Sequence, residues 1–123
     1  SNGIVYTAGQ TPKEDTVLKY KGQVGKDLTT GQGYAAAKLC ALRLLSILHA
    51  AASDLENIER VLKLTVFVNA GPDFSEYPQV ANGASDLLRD VLGNAGMHVR
   101  SAVGARSLPE NAAVEVELIA QIS

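Results

Sequence analysis

Hydrophobic and polar positions along this chain switch repeatedly between a period of two and a helical period, and the switches mark out the elements. Ile4 to Ala8 alternates as a strand does and stops at Gly9-Gln10-Thr11-Pro12. Val17 to Gly22 (VLKYKG) alternates again, briefly, before the chain turns through Gly25-Lys26-Asp27. From roughly Thr30 to Ala52 the spacing is helical: Ala37, Cys40, Ala41, Leu44, Leu45, Ile47, Leu48 and Ala51 form an apolar face, and Lys38, Arg43, Ser46 and His49 the wetter side. Thr29 and Gln32 have capping-box spacing, so each side chain can satisfy a free backbone donor at the helix start. Asp54-Leu55-Glu56-Asn57 breaks the pattern. Val61 to Asn69 (VLKLTVFVN) then alternates, with Leu62, Leu64, Val66 and Val68 on one face and Lys63, Thr65, Phe67 and Asn69 on the other. Gly71-Pro72-Asp73 closes that strand. A second helix is predicted from about Tyr77 to Leu92, where Tyr77, Val80, Ala84, Leu87, Leu88 and Val91 keep helical spacing; Pro78 suits its first turn and Gly93 its end. The final strands are roughly Val99 to Ala105 and Ala113 to Ile122.

Two helices can cover only one face of a mixed sheet of about five strands, so the pattern predicts an α+β domain spanning residues 1–123. Leu62, Leu64, Val66 and Val68, with Val114, Val116, Leu118 and Ala120, supply the covered face. The opposite face carries Lys63, Thr65, Phe67, Glu115, Glu117 and Ile119, too mixed for a core and too apolar to be simply wet. Such a surface suits a subunit interface, and a homo-oligomer is expected, with the charged groups of this face lining clefts between copies.

Composition narrows the function classes. The chain has 123 residues, 46% hydrophobic and 20% charged, an ordinary globular balance that argues against disorder and coiled coil. A net charge of −2 and a pI near 5.6 argue against nucleic acid as a partner, since phosphate binding needs a basic surface. The longest basic cluster is Lys19 with Lys21. Cys40 has no second cysteine to pair with, and on its apolar stripe it reads as a small buried hydrophobe. With no charged-then-apolar leader and no apolar run approaching the ~20 residues of a membrane helix, a cytoplasmic protein without a membrane partner is expected.

Chemistry concentrates at the last two strands. His98-Val99-Arg100-Ser101-Ala102-Val103-Gly104 is followed by Leu108-Pro109 and then Val114-Glu115-Val116-Glu117. Arginine is a permanent planar fork suited to carboxylates, and Arg100 is flanked by the small residues Ser101, Ala102 and Gly104, which leave room for a ligand. The alternative is an interface salt bridge from Arg100 to Glu115 or Glu117, and the residues alone leave both open. Glu115 and Glu117 lie two apart on one face, where a carboxylate can orient or deprotonate a water; Glu117 reads more simply as solvated strand charge. His98 could shuttle protons, but a structural role is preferred. Gly31-Gln32-Gly33-Tyr34-Ala35-Ala36 matches a dinucleotide fingerprint only superficially, because it follows the polar stretch Lys26 to Thr29 and not a buried strand. Histidines at 49 and 98 and one cysteine, far apart in the chain, make no metal-ligand pattern.

Taken together, Gly9-Gln10-x-Pro12, Thr65-Val66-Phe67-Val68, Asp73-Phe74, Val80-x-Asn82, Arg100-Ser101, Leu108-Pro109 and Val114-Glu115-Val116-Glu117 resemble the reactive-intermediate deaminase (RidA/YjgF) family, in order over nearly the whole chain. The resemblance implies a chorismate-mutase-like fold, a homotrimer with ligand sites in the clefts between subunits, and hydrolysis of 2-imino or 2-enamino acids to 2-oxo acids and ammonia without a cofactor or metal. By position it implies that Arg100 grips the substrate carboxylate and Glu115 handles the hydrolytic water, with Gly9 in the loop beside the site and Asn82 near the ligand. Departures from the family pattern are visible. Ala102 stands where many members have cysteine, and Ala8 replaces the usual serine. The family's preceding segment, with its pocket tyrosine, has no counterpart among these residues. Asn82 to Asp86, taken with the His98-x-Arg100 stretch, resembles a subgroup away from the archetype.

Overall fold

The computed structural model describes residues 3–123. The main sheet has four strands in the order β1 (Gly3–Tyr6), β6 (Val114–Ile122), β4 (Ile58–Asn69) and β5 (Val99–Ala105). β6 runs antiparallel to β1 and to β4, while β5 runs parallel to β4. A parallel neighbour needs a crossover; α2 (Tyr77–Leu92) provides it between β4 and β5. With α1 (Thr30–Ala52), it covers one face of the sheet.

The predicted second alternating segment shrinks to β3 (Val17–Leu18), paired with β2 (Lys13–Glu14) as a separate hairpin, so the main sheet holds four strands and not five. Past the hairpin, the chain runs against the start of β6: the Ala113 amide donates to the Tyr20 carbonyl and the Gly22 amide to that of Asn111.

α1 begins as the sequence predicts. The Thr29 hydroxyl accepts from the Gln32 amide at 3.1 Å, and the Gln32 side chain accepts from the Thr29 amide at 2.8 Å. Its buried stripe starts earlier than expected, taking in Gly33 and Ala36, and ends on Ala52, with Ala51 exposed. Gly33 is a packing residue: a Cβ there would press on Val80 and Val24, so the Gly31–Ala36 stretch serves helix packing. α1 and α2 approach closely at Gly83, where a Cβ would run into the Tyr34 carbonyl, and Tyr34 Oη donates to Asp86 Oδ2 at 2.7 Å across the pair. By length and composition α1 is apolar enough to cross a membrane, contrary to the expectation that no segment approaches this. Here its apolar stripe lies against the sheet and α2 in one core with Leu64, Val66, Val68, Val114, Val116 and Leu118.

β4 departs from simple alternation. Its register against β6 shifts between Ile58 and Arg60 and again between Val61 and Lys63. Each bulge inserts a residue and flips the faces. Val61 therefore joins Leu64, Val66 and Val68 in the core, and Leu62, assigned to the core from sequence, is only half-buried. Asn69 also moves. Expected on the open face, it is buried, and its amide donates to the Gly22 carbonyl, Asn111 Oδ1 and the Ala112 carbonyl. That one side chain ties the end of β4 to the loops on either side.

Candidate functional site

β5 is inverted relative to its hydrophobicity. Arg100, Ala102 and Gly104 pair with Leu64, Val66 and Val68, so they share the helix-covered face. Val99, Ser101 and Val103 pair with Lys63, Thr65 and Phe67 on the open face, where both valines are largely exposed. An edge strand that turns its valines away from the helices and its arginine toward them places a cation beside α2.

There Pro78, Asn82 and Ser85 follow one another at helical spacing and surround the guanidinium. Arg100 Nη1 donates to Asn82 Oδ1 at 2.8 Å and to Ser85 Oγ at 3.0 Å, and Nη2 donates to the Pro78 carbonyl at 3.3 Å. Of the N–H donors of a guanidinium, those bonds leave Nε–H and one Nη2 hydrogen. The group is only partly buried. Burial pulls its pKa down from the ordinary arginine value, Arg89 adds to the effect and Asp86 opposes it; a guanidinium so placed stays a cation at any physiological pH.

Behind Arg100 stands His98. Its Nδ1 lies 2.6 Å from the Gly96 carbonyl, and its Nε2 lies 2.8 Å from Ser85 Oγ. A carbonyl only accepts, so Nδ1 carries the hydrogen; in the neutral ring Nε2 then accepts from the Ser85 hydroxyl. Ser85 is fully buried, and both of its bonds are accounted for. Burial lowers the His98 pKa below the usual imidazole range, with Arg89 and Arg100 adding to the shift and the Gly96 bond opposing it. The histidine is therefore neutral at pH 7.

The room expected beside Arg100 is partly taken. Tyr77 Oη lies 2.7 Å from where a Cβ of Gly104 would be, so the tyrosine fills the space over that glycine. The Tyr77 ring packs edge-on against Phe74, with centroids 5.3 Å apart.

Glu115 lies on the other side of the sheet. It pairs with Phe67, and Glu117 with Thr65, so both carboxylates face away from the helices. Among the described residues, neither forms an ion pair with Arg100, and the sheet separates them. Arg100 and Glu115 therefore do not converge within one copy, and the salt bridge expected at an interface is one that only two copies together could form. Glu115 is met instead by Gly9. A Cβ on Gly9 would lie 2.8 Å from Glu115 Cδ, closer than such atoms approach, so the carboxyl packs against the bare glycine backbone. Glu117 is exposed, as its reading as solvated charge requires.

The loop carrying Gly9 is held at two points. Gln10 exchanges backbone hydrogen bonds with Val116, and Arg43 Nη1 donates to the Thr11 carbonyl at 3.0 Å. Arg43, placed on the wet side of α1 from sequence, is a clamp on this loop. Cys40 is buried beneath it, 3.9 Å from the Val114 carbonyl; burial pushes its thiol pKa far up, so it is the inert hydrophobe expected. His49 is exposed on α1.

Ser85, the Pro78 carbonyl, Tyr77 and Arg43 were not singled out from sequence. Ser85 had a signal available: Asn82, Ser85 and Arg89 follow one another at helical spacing on α2. Nothing in the sequence marks Arg43 or the Pro78 carbonyl.

Comparison with known proteins agrees with this architecture. Residues 2–122 match the family model described as "YjgF/chorismate mutase-like, putative endoribonuclease". The Trypanosoma cruzi protein TCP17 is 47% identical over 120 residues, covering 97% of this chain and 75% of TCP17. The crystal structure of Atu1372 from Agrobacterium tumefaciens, a protein of unknown function, superposes with a TM-score of 0.96 at 44% identity, covering 98% of this chain and 76% of that one. A Shewanella oneidensis protein described as a "putative endoribonuclease" gives 0.94 at 34% identity, covering 97% and 79%. YyfB of Yersinia pestis, named there as a member of the Rid family, gives 0.64 at 18% identity, covering 95% and 77%, a likeness of fold alone.

Proposed function

This chain belongs to the YjgF/Rid family, and on that premise we propose that it hydrolyses reactive 2-imino or 2-enamino acids to 2-oxo acids and ammonia, in clefts between copies of itself. The observation that carries the reading is the Arg100 fork: three donors fixed on α2 and two left free on a half-exposed cation, an arrangement suited to a small carboxylate.

Because the sheet separates Arg100 from Glu115, a complete site needs Glu115 and Gly9 from a second copy. The open face offers the surface for that assembly. Ile4 and Tyr6 of β1 are 48% and 73% exposed, and Val99 and Val103 of β5 are 65% and 46% exposed. With Phe67 and Ile119 between them, they add exposed apolar area to a face that also carries Lys63, Thr65, Glu115 and Glu117, a mixed surface of the kind that subunits bury. A closed ring of three copies repeats one such contact around an axis.

In the reaction, the substrate carboxylate docks on Nε–H and Nη2–H of Arg100. Glu115 of the adjoining copy orients a water and takes its proton as the oxygen adds to the imine carbon. The imine nitrogen takes a proton, and the carbinolamine collapses to a carbonyl, expelling ammonia. The balance is one water in, one ammonia out, with no redox change. Such imines already hydrolyse in water, so positioning and a general base worth about 10²–10⁴-fold suffice. The expected substrate is a small carboxylate, with no cofactor, nucleic acid or membrane as partner, and the expected place of action is the cytoplasm.

Ammonia release from freshly generated 2-iminopropanoate tests the reading. The wild type accelerates it; Arg100→Ala loses the acceleration while its mass by light scattering stays that of the oligomer. Wild-type rates in Arg100→Ala overturn the role of Arg100, and no acceleration by the wild type overturns the activity.

A second reading is a non-catalytic 2-oxo-acid-binding trimer with a regulatory role. It is favoured by one observation: the Arg100 fork is complete within a single chain, whereas Glu115 is not beside it. A relative 29% identical to this chain, from Lactococcus lactis, is described as "putative regulator AldR". That reading predicts ligand-dependent thermal stabilisation without turnover. The endoribonuclease description of other relatives fits this chain poorly. His98 is locked between Ser85 and Gly96, His49 stands apart on α1, and the net charge is −2.

A further inference from the structure

Arg100 does not hold its position alone. Its Nη1 is shared between Asn82 and Ser85, and Ser85 can accept from Arg100 with a fixed hydroxyl because it donates to His98, which in turn donates to the Gly96 backbone. The chain of donors runs in one direction, from guanidinium to hydroxyl to imidazole, and from imidazole to carbonyl. It begins at the partly exposed cation and ends on the backbone of the turn Gly93–Gly96 that leads into β5.

We propose that His98 and Ser85 are positioning residues for Arg100: together they occupy Nη1 so that the Nε–H and Nη2–H pair is the fork presented to a ligand carboxylate, and this requires a neutral His98. The inference rests on the reading of Arg100 as the carboxylate anchor. Neutral His98 presents a lone pair to Ser85. Once protonated, Nε2 becomes a donor. Ser85 Oγ then faces two cationic donors and must turn its own hydrogen away, and the like charges of His98 and Arg100 push apart. Among the described residues, the charged groups facing His98 are Arg89 on α2 and Arg100 on β5, both of which disfavour its protonation; Asp86 pairs with Arg89 at 3.9 Å and faces Arg100. Acidification therefore adds a positive charge at the site yet loosens the fork, and capture of a carboxylate weakens.

Two substitutions separate the parts of this arrangement. A glutamine amide reaches the place of Nε2 and an asparagine amide that of Nδ1. His98→Gln thus keeps an acceptor for Ser85 and removes the titration, while His98→Asn keeps the Gly96 bond and leaves Ser85 without its acceptor. The probe is 2-oxobutanoate, titrated by calorimetry between pH 5 and 8, where it stays ionised. The wild type is expected to bind with constant affinity from pH 8 down past about 6.5, the ordinary imidazole value, and to weaken several-fold only further down, as pH falls through the lowered pKa of His98. His98→Asn and Ser85→Ala weaken binding about tenfold at pH 7.5, and His98→Gln recovers most of that loss and shows no acid weakening. An acid limb unchanged in His98→Gln, or His98→Asn binding as tightly as the wild type, overturns the proposal.

A ligand-free measurement distinguishes its failure from that of the functional reading. Nitrogen-15 NMR of the imidazole is expected to show hydrogen on Nδ1 and a bare Nε2 at pH 7. The opposite tautomer overturns the brace while leaving Arg100 as an anchor. The expected tautomer with no binding of 2-oxobutanoate by the wild type overturns the anchor, and with it the proposed role of the brace.

Discussion

The two halves of the candidate site are built in different ways. Arg100 is held by directed hydrogen bonds: acceptors from three residues of α2, Pro78, Asn82 and Ser85, face it, and a histidine stands behind the serine. Glu115 is held by packing, its carboxyl laid on the bare backbone of Gly9, with the loop around it pinned by Gln10 and Arg43. The first half is preorganised in a single copy and suits the static task of gripping a carboxylate. The second leaves a carboxylate with unused acceptor capacity on an open face, which suits a group that has to hold water and exchange protons. In the proposed reaction, binding and proton transfer fall to surfaces on opposite sides of one sheet.

Substitutions on either side should separate these tasks. The largest effect is expected from Glu115→Gln, which removes the base and keeps the shape. Turnover of 2-iminopropanoate falls about a hundredfold, while 2-oxobutanoate binding, read by calorimetry, stays within a few-fold of wild type. An equal loss of binding and turnover would erase the division of labour. Asn82→Ala acts on the other side. It removes one hydrogen bond to a charged group, commonly worth ~1.5–3 kcal/mol, part of which water replaces at this half-exposed site; KM rises about tenfold and kcat changes little. A fall in kcat with unchanged KM would mean that Asn82 serves the chemistry and not the grip. The smallest effect is expected from Gly9→Ala, whose methyl would lie well inside contact distance of the Glu115 carboxyl, the movable end of a side chain, and pushes it aside. Turnover drops several-fold with carboxylate affinity unchanged, and a variant indistinguishable from wild type in steady-state kinetics would show that the position of Glu115 is not critical.

Much of the fold was legible in the sequence because its signals are local. The capping pair Thr29 and Gln32, Pro78 at the start of α2 and Gly93 at its end each fix a boundary through their own backbone chemistry. What escaped depends on partners distant in sequence. The bulge at Val61–Lys63 is a property of the β4–β6 pairing, so reading alternation along β4 alone put Leu62 in the core in place of Val61. Asn69 looked like an open-face polar residue because its acceptors, at Gly22, Asn111 and Ala112, come from loops. The face of Arg100 was hidden for a further reason. Hydrophobicity alone would turn the valines of β5 toward the helices, yet Val99 and Val103 point to the open side. The residues of the candidate site could be named from family likeness; their division between two faces required the register.

The crossover that α2 makes between β4 and β5 also sets how the gripping half is encoded. Pro78, Asn82, Ser85, His98 and Arg100 all fall within one uninterrupted stretch of the chain, on a helix, the strand that follows it and the connection between them. Gly9 and Glu115 come from near opposite ends of the chain and meet only when β1 has paired with β6. The grip can therefore assemble early in folding from short-range contacts, and can vary in evolution as a cassette. The Glu115 half depends on pairing between segments distant in sequence, so under the proposed reaction a change of preferred carboxylate is expected to arise between residues 78 and 100 with the Glu115 side left as it is.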